Sequence, residues 1–196
     1  MNIFFTSDHH HRHINISGPK LTKWNSGYRN FESLEEMSDT IINNLNSMAK
    51  YGDKVYLLGD VIMGSNPEYH LPVIMNKINC KDITLIYGNH DKVIRKNVHL
   101  QQLFNGCYDY LEVRINKQLF VLCHYAFGVW NEMGRGSINC YAHSHNNYTR
   151  NIGRQIDVGV DTNDFYPYHI DEIVEKMNKI EPAYVDHHTK TTNYSK

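Results

Sequence analysis

Apolar residues fall along the chain in runs of two kinds. Short unbroken runs stand at Asn2 to Thr6 (around Ile3-Phe4-Phe5), at Val55-Tyr56-Leu57-Leu58 and at Ile83-Thr84-Leu85-Ile86-Tyr87. Runs this short predict strands buried on both faces. Between the first two, Leu34, Met37, Ile41, Leu45 and Met48 recur at spacings of three and four. That period predicts an amphipathic helix stopping near Gly52, with Ser33 as N-cap and Glu36 reaching back to it. Leu71, Ile74, Met75 and Ile78 fit a second helical face, which Pro72 is expected to delay or disturb. Residues 14–32 contain Gly18-Pro19 and Asn25-Ser26-Gly27 and predict a loop. Residues 92–107 carry no clear period.

Farther on, Tyr110 to Ile115 and Gln118 to Cys123 predict a hairpin turning at Asn116-Lys117. Ser137 to Ala142 and Gln155 to Val160 predict two more strands. Ile170, Ile173, Val174 and Met177 make a last helical face, ended before Pro182. Strands first alternate with helices and then crowd together, the order of a layered α/β protein with a mixed sheet or sheets. Residues 183–196 are polar and aperiodic, so one domain over 1–182 and a polar tail over 183–196 are expected.

A chain of 196 residues suits one domain with extras. Its 20 basic and 21 acidic residues leave a net charge of −1. That balance argues against a protein that grips long duplexes by neutralising phosphates. No apolar run approaches the length of a transmembrane helix, and the N-terminus lacks the features of a secretory signal. Cys80, Cys107, Cys123 and Cys140 form no CxxC pair, so reduced thiols and a cytoplasmic location are expected. The 13 histidines are the unusual number.

Many of these histidines are organised. Five predicted strands end, one after another, in a group able to hold a metal: Asp8 and His10, then Asp60, then Asn89 and His90, then His124, then His143 and His145. In layered α/β folds, sites form outside the carboxyl ends of the strands. Parallel neighbours among these strands would bring three oxygen donors and five imidazoles together. A tetrahedral zinc takes four ligands. Eight groups, one of them a carboxylate able to bridge, suit two metals about 3.5–4 Å apart, a clamp for phosphoryl chemistry. Carboxylate, amide and imidazole without thiolate favour Mn, Fe, Zn, Ni or Co.

The motifs Asp8-His9-His10, Gly59-Asp60, Gly88-Asn89-His90-Asp91, His124 and His143-Ser144-His145 stand in an order and spacing that resembles the calcineurin-like metallophosphoesterases. The stretch from Ser7 to Ile16, Phe31 to Met37, and Val158-Gly159-Val160-Asp161 resemble a small bacterial and phage branch of that superfamily. The likeness spans roughly residues 1–175. Ala142 departs from it, standing where the family usually has Gly.

The resemblance implies a four-layer α/β sandwich of two mixed sheets with helices outside. It implies one metal on Asp8, His10 and His145, a second on Asn89, His124 and His143, and Asp60 bridging them. It further implies that His90 stands beside the metals, positions the phosphate and protonates the leaving oxygen, with Asp91 orienting it. The expected activity is hydrolysis of a phosphate mono- or diester by in-line attack of a metal-bridging hydroxide, with manganese the first expectation among the ions. A small phosphorylated molecule or a nucleotide is the expected substrate, in a bacterial cell or encoded by a phage. The alternatives are a nuclease acting on DNA or RNA and a non-catalytic binding module on the same fold.

His9 and His11 flank His10 and are expected to point away from the metals, while His13 is expected in the pocket. The loop residues Arg12, Lys20, Lys23, Trp24, Tyr28 and Arg29 fit two readings: a substrate lip of cations and stacking rings, or a solvated loop with two anchoring rings. Trp130, Arg135, Arg150 and Arg154 invite the same argument. Asn89 and His90 are also expected to touch substrate.

Overall fold

Neighbouring residues of β1 (Ile3–Thr6) feed two different cores. Phe4 packs with Leu45, Val55 and Leu71, whereas Phe5 packs with Phe120, Ile138 and Ile173. The alternation follows from the two-residue period of a strand. It places β1 in a sheet buried on both faces, as its unbroken apolar run predicts.

The computed structural model describes residues 1–25 and 27–185. One sheet runs β4 (Gly106–Tyr108), β3 (Asp82–Ile86), β2 (Lys54–Leu57), β1 and β9 (Tyr168–His169). Its first four strands are parallel and β9 is antiparallel. The other sheet runs β5 (Leu111–Ile115), β6 (Gln118–Leu122), β7 (Ile138–Tyr141) and β8 (Gln155–Asp157). Here β5 and β6 form the expected hairpin, and β6, β7 and β8 are parallel. Asn116 and Lys117 both take positive φ, 48° and 71°, the geometry of a two-residue hairpin turn.

Helices α1 (Leu34–Met48), α2 (Pro67–Lys77), α3 (Lys92–Lys96) and α4 (Val98–Gln101) pack outside the first sheet, through Ile42, Leu71, Ile94 and Leu100. Helix α5 (Ile170–Asn178) joins the core between the sheets through Ile173 and Met177. The outer face of the second sheet is covered by Trp130 and Met133 over Leu119 and Val121. The result is the α/β sandwich of two mixed sheets flanked by helices. Among the described residues, no helix is long and apolar enough to cross a membrane.

Several local expectations shift. Ser33 Oγ accepts from Glu36 N at 2.9 Å as expected, but the Glu36 carboxylate accepts from Glu32 N at 2.5 Å, one residue beyond the cap. Pro72 lies inside α2 and does not delay it. The helix starts at Pro67, whose fixed φ and missing N–H suit a first turn. Helices α3 and α4 and strands β4 and β9 are too short to carry a period. Ala183 still packs against the Trp130 cluster, past the expected boundary at 182; residues 186–196 of the expected tail lie outside the described residues.

Candidate active site

The carboxyl ends of β1, β2 and β3 lie side by side in one sheet, and those of β6 and β7 in the other. The segments that follow them turn sharply. Asp8, His10, Asp60, His143 and His145 all take positive φ, at 56°, 49°, 53°, 69° and 45°. Each such non-glycine residue costs of order 1–3 kcal/mol and persists where its surroundings over-determine it. Here they do. Asp8 N donates to Gly59 O at 3.1 Å and His10 N to Asp60 O at 2.9 Å, lacing the first strand end to the second. The buried Asp91 carboxylate accepts from the amides of Asp60, Val61 and Gly88 at 2.9, 2.9 and 2.8 Å, lacing the second to the third. Gly59 and Gly88 are required by this approach. A Cβ on Gly59 would stand 2.3 Å from Gly88 N, and one on Gly88 would stand 2.2 Å from Asp60 Oδ1.

Two donor sets result. Asp8, His10 and His145 offer atoms within 4.8 Å of one another, and so do Asp60, His124 and His143. Asp60 Oδ2 lies 3.6 Å from His10 Nε2 and 3.5 Å from His124 Nε2, so it faces both sets. Asn89 Oδ1 lies 3.1 Å from His124 Nε2 and completes the second set.

The hydrogen bonding of these groups fits a cation in each set. His124 Nδ1 donates to Leu58 O at 2.6 Å, which turns Nε2 toward two oxygens, from Asp60 and Asn89. Burial opposes the His124 cation, but Asp60 and Asp8 outweigh it and hold this imidazole at about 9. Burial pushes Asp8 up to about 7 against the pull of His145 and His124. Burial, with Arg29 and His145 nearby, keeps His10 neutral. Asp8 Oδ1 and His10 Nε2 are buried without a hydrogen-bond partner. Buried polar atoms are usually partnered by protein, water or an ion. Nitrogens of His9, His11 and Arg12 outside the sets share this state, but a divalent ion taken up by Asp8, His10 and His145 would satisfy both Asp8 Oδ1 and His10 Nε2.

Behind the first set stands an ion pair. His145 Nδ1 donates to Asp161 Oδ2 at 2.6 Å, which aims Nε2 at the set. Arg29 is completely buried, donates from Nε and Nη2 to Asp161 at 2.7 and 2.8 Å, and reaches Asp8 O and His9 O at 2.5 and 3.1 Å. One guanidinium thus ties the Asp8 turn to the partner of His145.

The structure brings together Asp8, His10, Asp60, Asn89, His124, His143 and His145, with the His90 ring beside them. His90 Nε2 lies 4.0 Å from Asp60 Oδ2, and its side chain is 32% exposed. His90 N donates to Asp60 Oδ1 at 2.8 Å. His13 also stands here, its Nδ1 3.2 Å from His10 Nδ1, and burial and His90 push it down to about 4. His9 and His11 are buried outside both sets, with His9 Nε2 2.9 Å from Thr6 Oγ1. Ala142 replaces a glycine without conflict: its methyl packs in the core between the sheets.

Four expectations need correction. Asp91 does not orient the His90 ring, because its carboxylate is taken up by three backbone amides. Arg29 is no part of a lip, since Asp161 draws it inside. Arg12 turns toward Glu35, lining a groove against α1, and does not line the cavity beside the donor sets. Trp130 is buried over the second sheet, its N–H donating to Ser137 Oγ at 3.0 Å. Lys23, Trp24 and Tyr28 do line that cavity, together with His13 and His145. Asp161 is the positioning residue that carried no assigned role; its signal was the Val158-Gly159-Val160-Asp161 stretch.

The chain is similar to known proteins along most of its length. An uncharacterized protein of Methanocaldococcus jannaschii is 28% identical over 183 residues, covering 90% of this chain and 92% of that protein. A protein of unknown function from Aquifex aeolicus has a solved structure that matches with a TM-score of 0.64 at 22% identity, covering 89% of this chain and 98% of that one. The sequence model of the calcineurin-like phosphoesterases matches residues 1–195. The chain therefore belongs to the calcineurin-like phosphoesterase family and is a metal-dependent phosphoric ester hydrolase.

Proposed function

We propose that the chain hydrolyses small phosphate esters at a centre of two divalent ions. Asp8, His10 and His145 would hold one ion; Asn89, His124 and His143 would hold the other, with Asp60 shared. The observation that carries this reading is the place of Asp60 Oδ2, 3.6 and 3.5 Å from an imidazole nitrogen of each set. Bound there, the ions would supply a nucleophilic water at neutral pH and neutralise the non-bridging oxygens of the phosphoryl group. Manganese is the proposed ion.

The chain's own residues do the rest. Asp161 fixes the tautomer of His145, and Leu58 O fixes that of His124. Asp60 Oδ1 holds the His90 backbone, so the half-exposed ring stands at the rim of the centre, where a leaving oxygen can reach it. His90 gives that oxygen a proton as the P–O bond breaks. Such proton transfer contributes about 10²- to 10⁴-fold.

The test is turnover of p-nitrophenyl phosphate and bis-p-nitrophenyl phosphate by metal-stripped protein before and after Mn²⁺ is restored. Activity that returns with the ion supports the reading; activity indifferent to it contradicts it. His90→Asn should lower kcat about a hundredfold or more on an alkyl phosphate while its ions stay bound. The loss should shrink on p-nitrophenyl esters, whose leaving group needs little protonation. Equal losses across leaving groups would exclude the acid role.

A further inference from the structure

The donor sets are reached by two cavities, one from each end. The larger, of about 810 Å³, meets the first set at His145 and runs past His13 to Trp24 and Tyr28. The smaller, of about 460 Å³, meets the second set at Asn89 and passes His90 and Tyr125. Asn89 is itself a proposed ligand, and the Tyr125 ring in the cavity wall packs 4.9 Å from that of His143. His13 and His90, with ring centroids 5.7 Å apart, stand where the two approach each other. A phosphorus atom over Asp60 therefore has room for an ester arm on each side. A monoester fills one cavity at most.

The walls of the larger cavity have a definite chemistry. Among the described residues, no carboxylate lines it. Trp24 is 62% exposed and offers a flat ring at the mouth. Asn15 and Asn25 line it with amides that both donate and accept, as the edge of a nucleobase requires, although Asn25 Oδ1 already accepts from Gly27 N at 2.9 Å and keeps one lone pair. Lys23 adds a cation. Tyr28 Oη donates to Asn147 Oδ1 at 2.6 Å and joins the loop before α1 to the loop after β7, so the two walls are held together.

Resting on the phosphoesterase reading above, we propose that the substrate is a phosphodiester carrying a nucleoside, its base stacked on Trp24 in the larger cavity and its second arm in the smaller one. Water adds to phosphorus, one P–O ester bond breaks, the departing oxygen takes a proton, and a phosphate monoester and an alcohol are released.

Three esters with one leaving group test this: p-nitrophenyl phosphate, methyl p-nitrophenyl phosphate and thymidine 5′-(p-nitrophenyl phosphate). The Mn²⁺-loaded protein should favour the thymidine diester over the methyl diester by about tenfold or more in kcat/KM, the range one stacked base provides. It should also favour it over the monoester. In Trp24→Ala the preference for thymidine over methyl should fall toward one, while in the remote surface variant Tyr51→Ala it should persist. Independently of turnover, thymidine 5′-monophosphate should quench the tryptophan emission of the wild type and not that of Trp24→Ala, which retains only the buried Trp130. A wild-type preference near one, a preference that survives Trp24→Ala, or faster turnover of the monoester would overturn the proposal and leave the phosphoesterase reading standing. Failure on all three esters with ions bound would remove both.

Discussion

Asp60→Asn should reduce kcat/KM on bis-p-nitrophenyl phosphate about a thousandfold or more, because it removes a charge facing both donor sets. Asparagine matches the shape of aspartate, so the fold should remain. Its amide can still accept from His90 N through one atom, as Asp60 Oδ1 does at 2.8 Å. The other atom then becomes an NH₂ group aimed at His10 Nε2 and His124 Nε2, where the carboxylate stands at 3.6 and 3.5 Å. A donor cannot serve as a ligand there, so ion content should fall together with turnover. Elemental analysis beside steady-state kinetics would check both. Turnover within a few-fold of wild type would mean that Asp60 is not shared between two ions.

The second large effect concerns stability. Arg29→Met should destabilise the protein by about 3–5 kcal/mol, the usual consequence of removing one partner of a buried ion pair. For a chain of this size the melting temperature should drop by about 10 °C. The variant leaves Asp161 buried without its guanidinium and leaves Asp8 O and His9 O without their donor. A pH dependence follows. Burial alone would raise the Asp161 carboxyl, but Arg29 and His145 overcome it and hold it at about 2. A carboxyl depressed in the folded state stabilises the protein above its ordinary range near 4, and that contribution is lost as pH falls toward 2. Without Arg29 the acid transition should begin at higher pH. Urea unfolding at several pH values would show this; an unchanged melting temperature would mean that the pair contributes nothing.

Asp60 and Arg29 differ widely in how much of their role is legible in the sequence. Asp60 could be read directly, because its strand run, its glycine and its place in the series of strand-end motifs are all local in sequence. The same holds for Asp8, His10, Asn89, His124, His143 and His145, and for the hairpin at Asn116-Lys117. Arg29 could not be read this way. A lone cation between turn residues looks solvated, and the partner that buries it is 132 residues away. Asp91 misled for a related reason: adjacency to His90 suggested contact with its ring, while the donors that claim it are backbone amides, which no side-chain pattern reveals. Pro72 carried a real signal for a helix boundary, yet the apolar face of α2 and the start at Pro67 outweighed it. The short elements α3, α4, β4 and β9 owe their form to packing against longer neighbours, and so left no period behind.

Whether these side chains hold two ions that share Asp60 is read from the number of Mn²⁺ ions retained per chain by metal-stripped protein after titration and removal of free ion, for the wild type, His10→Ala and His124→Ala. Two ions are expected in the wild type and one in each variant, since each substitution removes a ligand from a different set. A single ion in the wild type, or two in both variants, would contradict a pair of ions sharing Asp60.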